Sequence, residues 1–162
     1  MEDGLILDGV MAQDINQASS FWRIREGITE ASTKQGAVYK YDLSLPVEKL
    51  YDIVDEMRER LGQVAKVIGY GHLGDGNLHL NILTNQYDDD VLAQIEPFVY
   101  QWTSNHRGSI SAEHGLGLMK ADKIHYSKSS ETVRLMASIK KLLDPNGIMN
   151  PYKVLPRSLL AN

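Results

Sequence analysis

An α+β fold, with an antiparallel-containing sheet covered by helices, is predicted by three features of this 162-residue chain. Apolar residues recur at helical spacing in several long stretches. Short alternating runs lie between those stretches. Two of the runs flank Asp75-Gly76, and a two-residue Asp-Gly turn can join only antiparallel neighbours. That hairpin moves the class from a purely parallel α/β sheet to α+β.

Leu5-Ile6-Leu7, between Gly4 and Asp8-Gly9, reads as a strand or the end of one. From Asp14 the pattern turns helical, with Ile15, Ala18, Trp22 and Ile28 on the apolar stripe. A basic residue and a glycine in Lys34-Gln35-Gly36 close a helix over about 14–34. Residues 37–45 alternate and end at Pro46, which closes a strand and opens a helix over roughly 47–61 with Val47, Leu50, Ile53, Val54 and Met57 inward. The hairpin follows, from Val64 to Leu73 and from Asn77 to Thr84. Asp88-Asp89-Asp90 precedes a helical stripe of Val91, Ile95, Phe98, Val99 and Trp102, kinked or broken at Pro97. Gly108 to Gly115 reads as a strand ending in a loop. The last helix opens at Ser129 or Ser130 with Glu131 in its first turn, runs through Leu135, Met136, Ile139, Leu142 and Leu143, and stops at Asp144-Pro145-Asn146-Gly147.

Composition narrows the function classes. The chain is 43% hydrophobic and 23% charged, enough for a core in one domain, since a chain of about 150 residues buries roughly 68–70% of its unfolded surface. No linker or internal repeat divides it. Its formal charge of −4 comes without a basic stripe, which speaks against nucleic acid and anionic membranes as partners. No apolar run approaches the ~18 residues of a spanning helix. With no cysteine, a disulfide framework, a thiolate metal site and cysteine catalysis are excluded. Any metal must be held by His, Asp or Glu.

Most of the chemistry lies between Gly69 and Asn81. Gly69-x-Gly71-x-x-Gly74 matches the dinucleotide fingerprint, but that fingerprint needs a helix after the glycines to receive the pyrophosphate. Here an alternating strand follows, and nicotinamide binding is not expected. A two-residue turn at Asp75-Gly76 sets His72 opposite His79. Opposed residues have Cβ atoms about 4.5–5.5 Å apart, close enough for both imidazoles to reach one ion. Asn77, His79 and Asn81 share the polar face, and Leu78, Leu80 and Ile82 share the packing face. Opposed histidines alone leave a metal site and a merely hydrogen-bonded pair both open.

Glu113-His114-Gly115 adds a carboxylate and an imidazole beside two glycines that permit close approach of a ligand. Strand geometry points neighbouring side chains apart, so the two serve one site only if the chain turns there. A surface glutamate and a capping histidine fit the spacing equally well. Arg25 and Thr29 share a helix face four residues apart, and Lys40 follows on the next strand. Arginine suits bidentate capture of a carboxylate, and a solvated charge is the alternative. His106 and His125 have no convergent neighbours in sequence and are given no role.

Five motifs stand in order along the chain: Trp22-Arg23-Ile24-Arg25-Glu26, Tyr39-Lys40-Tyr41-Asp42, Gly71-His72-Leu73-Gly74-Asp75-Gly76-Asn77-Leu78-His79, Ser111-Ala112-Glu113-His114-Gly115 and Asn150-Pro151-Tyr152-Lys153. Together they resemble the C-terminal region of the FAD-linked oxidase family related to vanillyl-alcohol oxidase, from about Gly9 to Pro156. Residues Tyr39 to Pro46 and Tyr70 to Leu80 are most similar to the branch acting on D-2-hydroxyglutarate.

The resemblance implies a substrate-binding, cap-type domain in which His72, His79 and Glu113 hold a divalent metal, zinc by expectation, and His114 is the catalytic base. It implies that Arg25, Thr29 and Lys40 grip substrate carboxylates and that Asn81 approaches the flavin. The implied reaction oxidises a small D-2-hydroxy acid to the 2-oxo acid, with hydride passing to FAD and on to a downstream electron acceptor. D-lactate oxidation and a noncatalytic metal- or ligand-binding module are the alternatives. The family holds FAD mainly in an N-terminal FAD-binding domain that these residues do not resemble. With its abrupt start, the chain is therefore expected to be part of a longer enzyme, inactive alone and open to homo-oligomer formation through uncovered apolar surface. The resemblance also implies a mitochondrial location, or a cytoplasmic one in a bacterium, although no targeting segment is present.

Overall fold

The computed structural model describes residues 8–160, so the expected strand at Leu5-Ile6-Leu7 lies outside the described residues. Helices α1 (Ile15–Glu26) and α2 (Ile28–Thr33) lead into strand β1 (Ala37–Ser44). Helix α3 (Asp52–Leu61), strands β2 (Lys66–His72) and β3 (Asn77–Thr84), and helices α4 (Asp89–Ile95) and α5 (Phe98–Asn105) follow. Helix α6 (Ser130–Leu143) and the short α7 (Arg157–Leu160) complete the chain. The three strands form one sheet in the order β1-β3-β2, antiparallel at both pairings. The α+β expectation is met.

Strand alternation divides the sheet into two chemically distinct faces. Tyr39, Tyr41 and Leu43 of β1 join Leu78, Leu80 and Ile82 of β3 in a core completed by Ile53, Val54 and Met57 of α3, Ile95 of α4 and Val99 of α5. Each fully buried aliphatic side chain there contributes about 1.5–3 kcal/mol. Gly69 pairs with Leu80 and so belongs to this face. A Cβ at Gly69 would stand 2.5 Å from Val54 Cγ2. The first glycine of the apparent dinucleotide fingerprint is thus a packing residue that lets α3 lie close on β2.

Several elements differ from the sequence expectation. The helix expected over 14–34 is divided at Gly27, which keeps right-handed helical backbone and caps the end of α1 and the start of α2. The stretch expected as a helix from 47 opens as a 3-10 turn, Val47–Lys49, before α3 begins. Pro97 breaks its helix, separating α4 from α5. The reversal after β2 uses four residues: a 3-10 turn over Leu73–Asp75, then Gly76 in the left-handed conformation with φ 66°. His72 therefore opposes Asn77, and Tyr70 opposes His79. The expected His72–His79 register is wrong by two positions, an even number, so every side chain keeps its expected face.

Residues 108–115 do not form the expected strand. Ser109 makes a single bridge to Ser44, after which the backbone turns onto the Asp42 side chain. α6 starts as expected, with the Ser129 side chain accepting from the Thr132 N–H, but its inward residues are Val133 and Ala137, while Leu135, Ile139, Leu142 and Leu143 are exposed. α1 buries none of its residues and leaves Ile15, Phe21, Trp22 and Ile24 open to solvent.

Candidate functional site

The face of the sheet opposite the core carries the polar groups. Across the three strands Asp42 opposes His79, which opposes Tyr70. One step further along β3, Asn81 pairs with Lys40, and at the other end Asn77 pairs with His72. Although diagonal rather than opposed, the His72 and His79 rings lie edge to face with centroids 5.4 Å apart. The His114 ring stacks on His79 at 5.2 Å with an interplanar angle of 8°.

Glu113 draws these rings together. Its Oε1 lies 3.2 Å from His79 Nε2, 3.6 Å from His72 Nε2 and 3.6 Å from His114 Nε2. Ligand atoms held about 2.0–2.1 Å from a tetrahedral ion stand roughly 3.3 Å from one another, a spacing close to the 3.2 Å between Glu113 and His79 and the 3.6 Å between Glu113 and each of the other two rings. Asp42, His79, Glu113 and His114 also bring ligand atoms within 4.8 Å of one another. Burial holds the His79 pKa below its ordinary value despite the opposing pull of Glu113 and Asp42. A neutral imidazole is the form that binds a metal without first losing a proton.

Asp42 explains why residues 111–114 turn. Its Oδ2 accepts the backbone N–H groups of Glu113 at 2.9 Å and His114 at 2.8 Å, with the Ser111 hydroxyl at 3.4 Å. The Asp42 carbonyl accepts the Ala112 N–H at 3.1 Å. Burial would raise the carboxyl pKa, but the N–H groups of His114 and Glu113 outweigh it and hold Asp42 below the usual carboxylate range. One ionised side chain thereby replaces the missing ladder and points two consecutive residues, Glu113 and His114, toward one place.

A cleft of about 280 Å³ runs along this face, lined by Thr29, Lys40, Tyr41, Asp42, Tyr70, His79, Asn81, Ser111, His114, Gly115 and Lys120. Arg25 lies beside it. Arg25 Nη2 donates to the Gly71 carbonyl at 3.2 Å and sits 3.4 Å from His72 Nε2, with its guanidinium over the Tyr70 ring. Thr29 Oγ1 and the Tyr70 hydroxyl are 2.5 Å apart, and buried Asn81 donates to the same hydroxyl at 3.4 Å. Lys120 Nζ contacts the Lys40 carbonyl at 3.5 Å, and burial lowers its pKa. Every residue expected at the site from sequence thus lines this cleft or contacts a group that does. His106 instead bonds the Trp102 carbonyl, and His125 the Asp122 carbonyl, apart from the cluster. A second cavity, of about 320 Å³, lies beside α6, but its cations have local partners: Lys140 pairs with Asp144, and Arg157 rests on Tyr152.

The C-terminal domain of FAD linked oxidases matches residues 1–154. The chain belongs to this FAD-linked oxidase family. A rice protein (Oryza sativa subsp. indica) named probable D-2-hydroxyglutarate dehydrogenase, mitochondrial, is 79% identical over 160 residues, covering 99% of this chain and 29% of its own length. Arabidopsis thaliana D-2-hydroxyglutarate dehydrogenase, mitochondrial, is 74% identical over 162 residues, covering 100% of the chain and 29% of its own length. The zebrafish (Danio rerio) protein of that name is 58% identical over 160 residues, covering 98% and 30%. The chain therefore spans under a third of the length of these relatives.

Within this FAD-linked oxidase domain, sequence reasoning missed Asp42, Tyr70 and Lys120. Asp42 and Lys40 share the even-numbered, polar face of β1, a signal present in the sequence. Its meaning depends on β1 pairing with β3, two strands later in the chain, and no local pattern fixes that pairing. Lys120 reaches the cleft from the residue just before a 3-10 turn, Ala121–Tyr126, that carries no periodic signature.

Proposed function

We propose that this chain is the substrate-binding domain of an FAD-dependent D-2-hydroxy acid dehydrogenase that oxidises D-2-hydroxyglutarate to the 2-oxo acid. The observation carrying the proposal is the meeting of His72, His79 and His114 on Glu113 Oε1, beside a cleft bordered by Arg25, Thr29 and Lys40. The names of the close relatives support the substrate and a mitochondrial setting. A separate FAD-binding domain and a downstream electron acceptor complete the system.

His72, His79 and Glu113 would hold the divalent cation, for which zinc suits the nitrogen-rich donor set. When bound, the metal supplies Lewis acidity at the substrate hydroxyl and FAD supplies the hydride acceptor. His114, the most exposed imidazole of the cluster, accepts the 2-hydroxyl proton on a ring nitrogen. Lys40 and Arg25 neutralise substrate carboxylates, and Thr29 adds a hydroxyl donor. Arg25 Nη2 lies 3.4 Å from His72 Nε2, so its guanidinium stands next to the nitrogen that would hold the cation. Asn81, buried at the centre of the sheet, would approach the flavin.

Zinc titration of wild-type and His79→Ala chains, with dye reduction by D-2-hydroxyglutarate and D-lactate in the flavin-loaded enzyme, tests this reading. The expected result is stoichiometric zinc in the wild type only and preferred turnover of D-2-hydroxyglutarate. Unchanged stoichiometry in His79→Ala would remove the ligand assignment. Preference for D-lactate would reassign the substrate, and no turnover of either acid would leave only a binding module.

A further inference from the structure

We infer that Asp42 is a positioning residue for the metal ligand His79: its Oδ1 accepts the His79 Nδ1 proton and so leaves Nε2 unprotonated toward Glu113. The inference rests on the metal reading above and assigns a role to a residue outside the proposed ligand set.

The two oxygens of Asp42 have separate surroundings. Among the described residues, the hydrogen bonds to the carboxylate all end on Oδ2, from Ser111, Glu113 and His114. Oδ1 is buried and has no hydrogen-bond partner among the described residues, a rare condition for a buried acceptor. The group facing it is His79 Nδ1, at 3.8 Å, beyond hydrogen-bond length but within reach of a small ring movement. His79 Nε2 meanwhile points at Glu113 Oε1, 3.2 Å away. One ring nitrogen thus faces the candidate cation position and the other faces a dry carboxylate held in place by two backbone N–H groups. A metal-bound histidine ordinarily donates its second N–H to such a partner, which fixes its tautomer and ring orientation. The other imidazole near Asp42, His114, has its Nδ1 3.9 Å from Oδ2, the oxygen already occupied.

Asp42→Asn separates this role from loop support. Its amide oxygen can still take the Glu113 and His114 N–H groups. Its NH2 then faces His79 Nδ1, which must become an acceptor, and the ring proton moves to Nε2 where it blocks the cation. Two readouts apply to the full 162-residue chain: long-range proton–nitrogen NMR of the His79 ring without metal, and zinc affinity by competition with a chromogenic chelator. The expected wild-type tautomer is Nδ1–H. Asp42→Asn should shift it to Nε2–H and weaken zinc binding about 10–100-fold. A wild-type His79 protonated on Nε2 overturns the inference without any variant, and so does a folded Asp42→Asn with unchanged zinc affinity. A wild type that binds no zinc defeats the metal reading and this inference together, and the wild-type titration alone distinguishes that outcome.

Discussion

Gly69→Ala is expected to destabilise the domain through one contact. The new Cβ would lie 2.5 Å from Val54 Cγ2 and 3.4 Å from Leu78 Cδ1. Val54 is fully buried and stiff at χ1, and its other methyl is already 3.5 Å from the same point. Relief requires Val54 to leave its present rotamer or α3 to move off β2. Overpacking of this kind costs about 1–3 kcal/mol, or roughly 2–12 °C in Tm for a chain of this size. Val54→Ala alone removes two buried methyls, at about 1–3 kcal/mol, yet it also vacates the space the alanine needs. The double variant should therefore be more stable than the sum of the single losses by at least about 0.5 kcal/mol. Gly74→Ala is the control, because no atom of the described residues lies within 4 Å of a Cβ there, and it should stay within about 0.5 kcal/mol of wild type. Urea unfolding of the four proteins measures the cycle. Strictly additive losses, or equal effects at Gly69 and Gly74, would refute the packing account of the fingerprint.

Two further predictions concern stability. Leu80→Ala, at a fully buried position in the central strand, should cost about 2–5 kcal/mol, seen by calorimetry as a Tm lower by roughly 4–20 °C. Asp144 accepts from Lys140 Nζ and from the N–H groups of Ile148 and Met149, and Lys140 is the main cause of its lowered pKa. A depressed carboxylate pKa stabilises the fold above the unfolded value, near 3.8, and that contribution is lost as pH falls through the lower folded value. Asp144→Asn should therefore melt below wild type at neutral pH, with the gap closing in acid; a gap that widens on acidification would contradict the assignment.

The sequence is most informative where structure is local. Asp75-Gly76 announces the hairpin, and alternation puts His72, His79 and Asn81 on one face even though the turn holds four residues, because an even slip preserves facing. The same data do not reveal that residues 109–114 are secured by a side chain. A single Asp42 carboxylate takes the backbone N–H groups that a strand partner would otherwise satisfy, and no periodicity encodes that arrangement. Apolar periodicity misleads at α1 and α6 for a different reason. It reports that a face is suited to burial, not what covers it, and Trp22 and Leu142 are exposed here.

The two carboxylates of the site should respond differently to neutralisation because they do different work. Asp42 is dry and bears on the fold through backbone N–H groups, whereas the Glu113 side chain is 42% exposed and is paired, among the described residues, with three imidazoles. Glu113→Gln retains side-chain size and leaves the Glu113 N–H bond to Asp42 untouched, since the backbone donates it. Exposed ion pairs contribute about 0–1 kcal/mol, so metal-free Glu113→Gln should melt within roughly 4 °C of wild type. Its zinc affinity should nevertheless collapse, because a neutral amide replaces the anionic ligand at the point where three histidines meet. Calorimetry with and without zinc separates the two effects. Zinc raises Tm only in proportion to its affinity for the native state, so the zinc-induced rise should disappear in Glu113→Gln. A large metal-free destabilisation would show that Glu113 serves the fold, and a preserved zinc-induced rise would remove it from the ligand set.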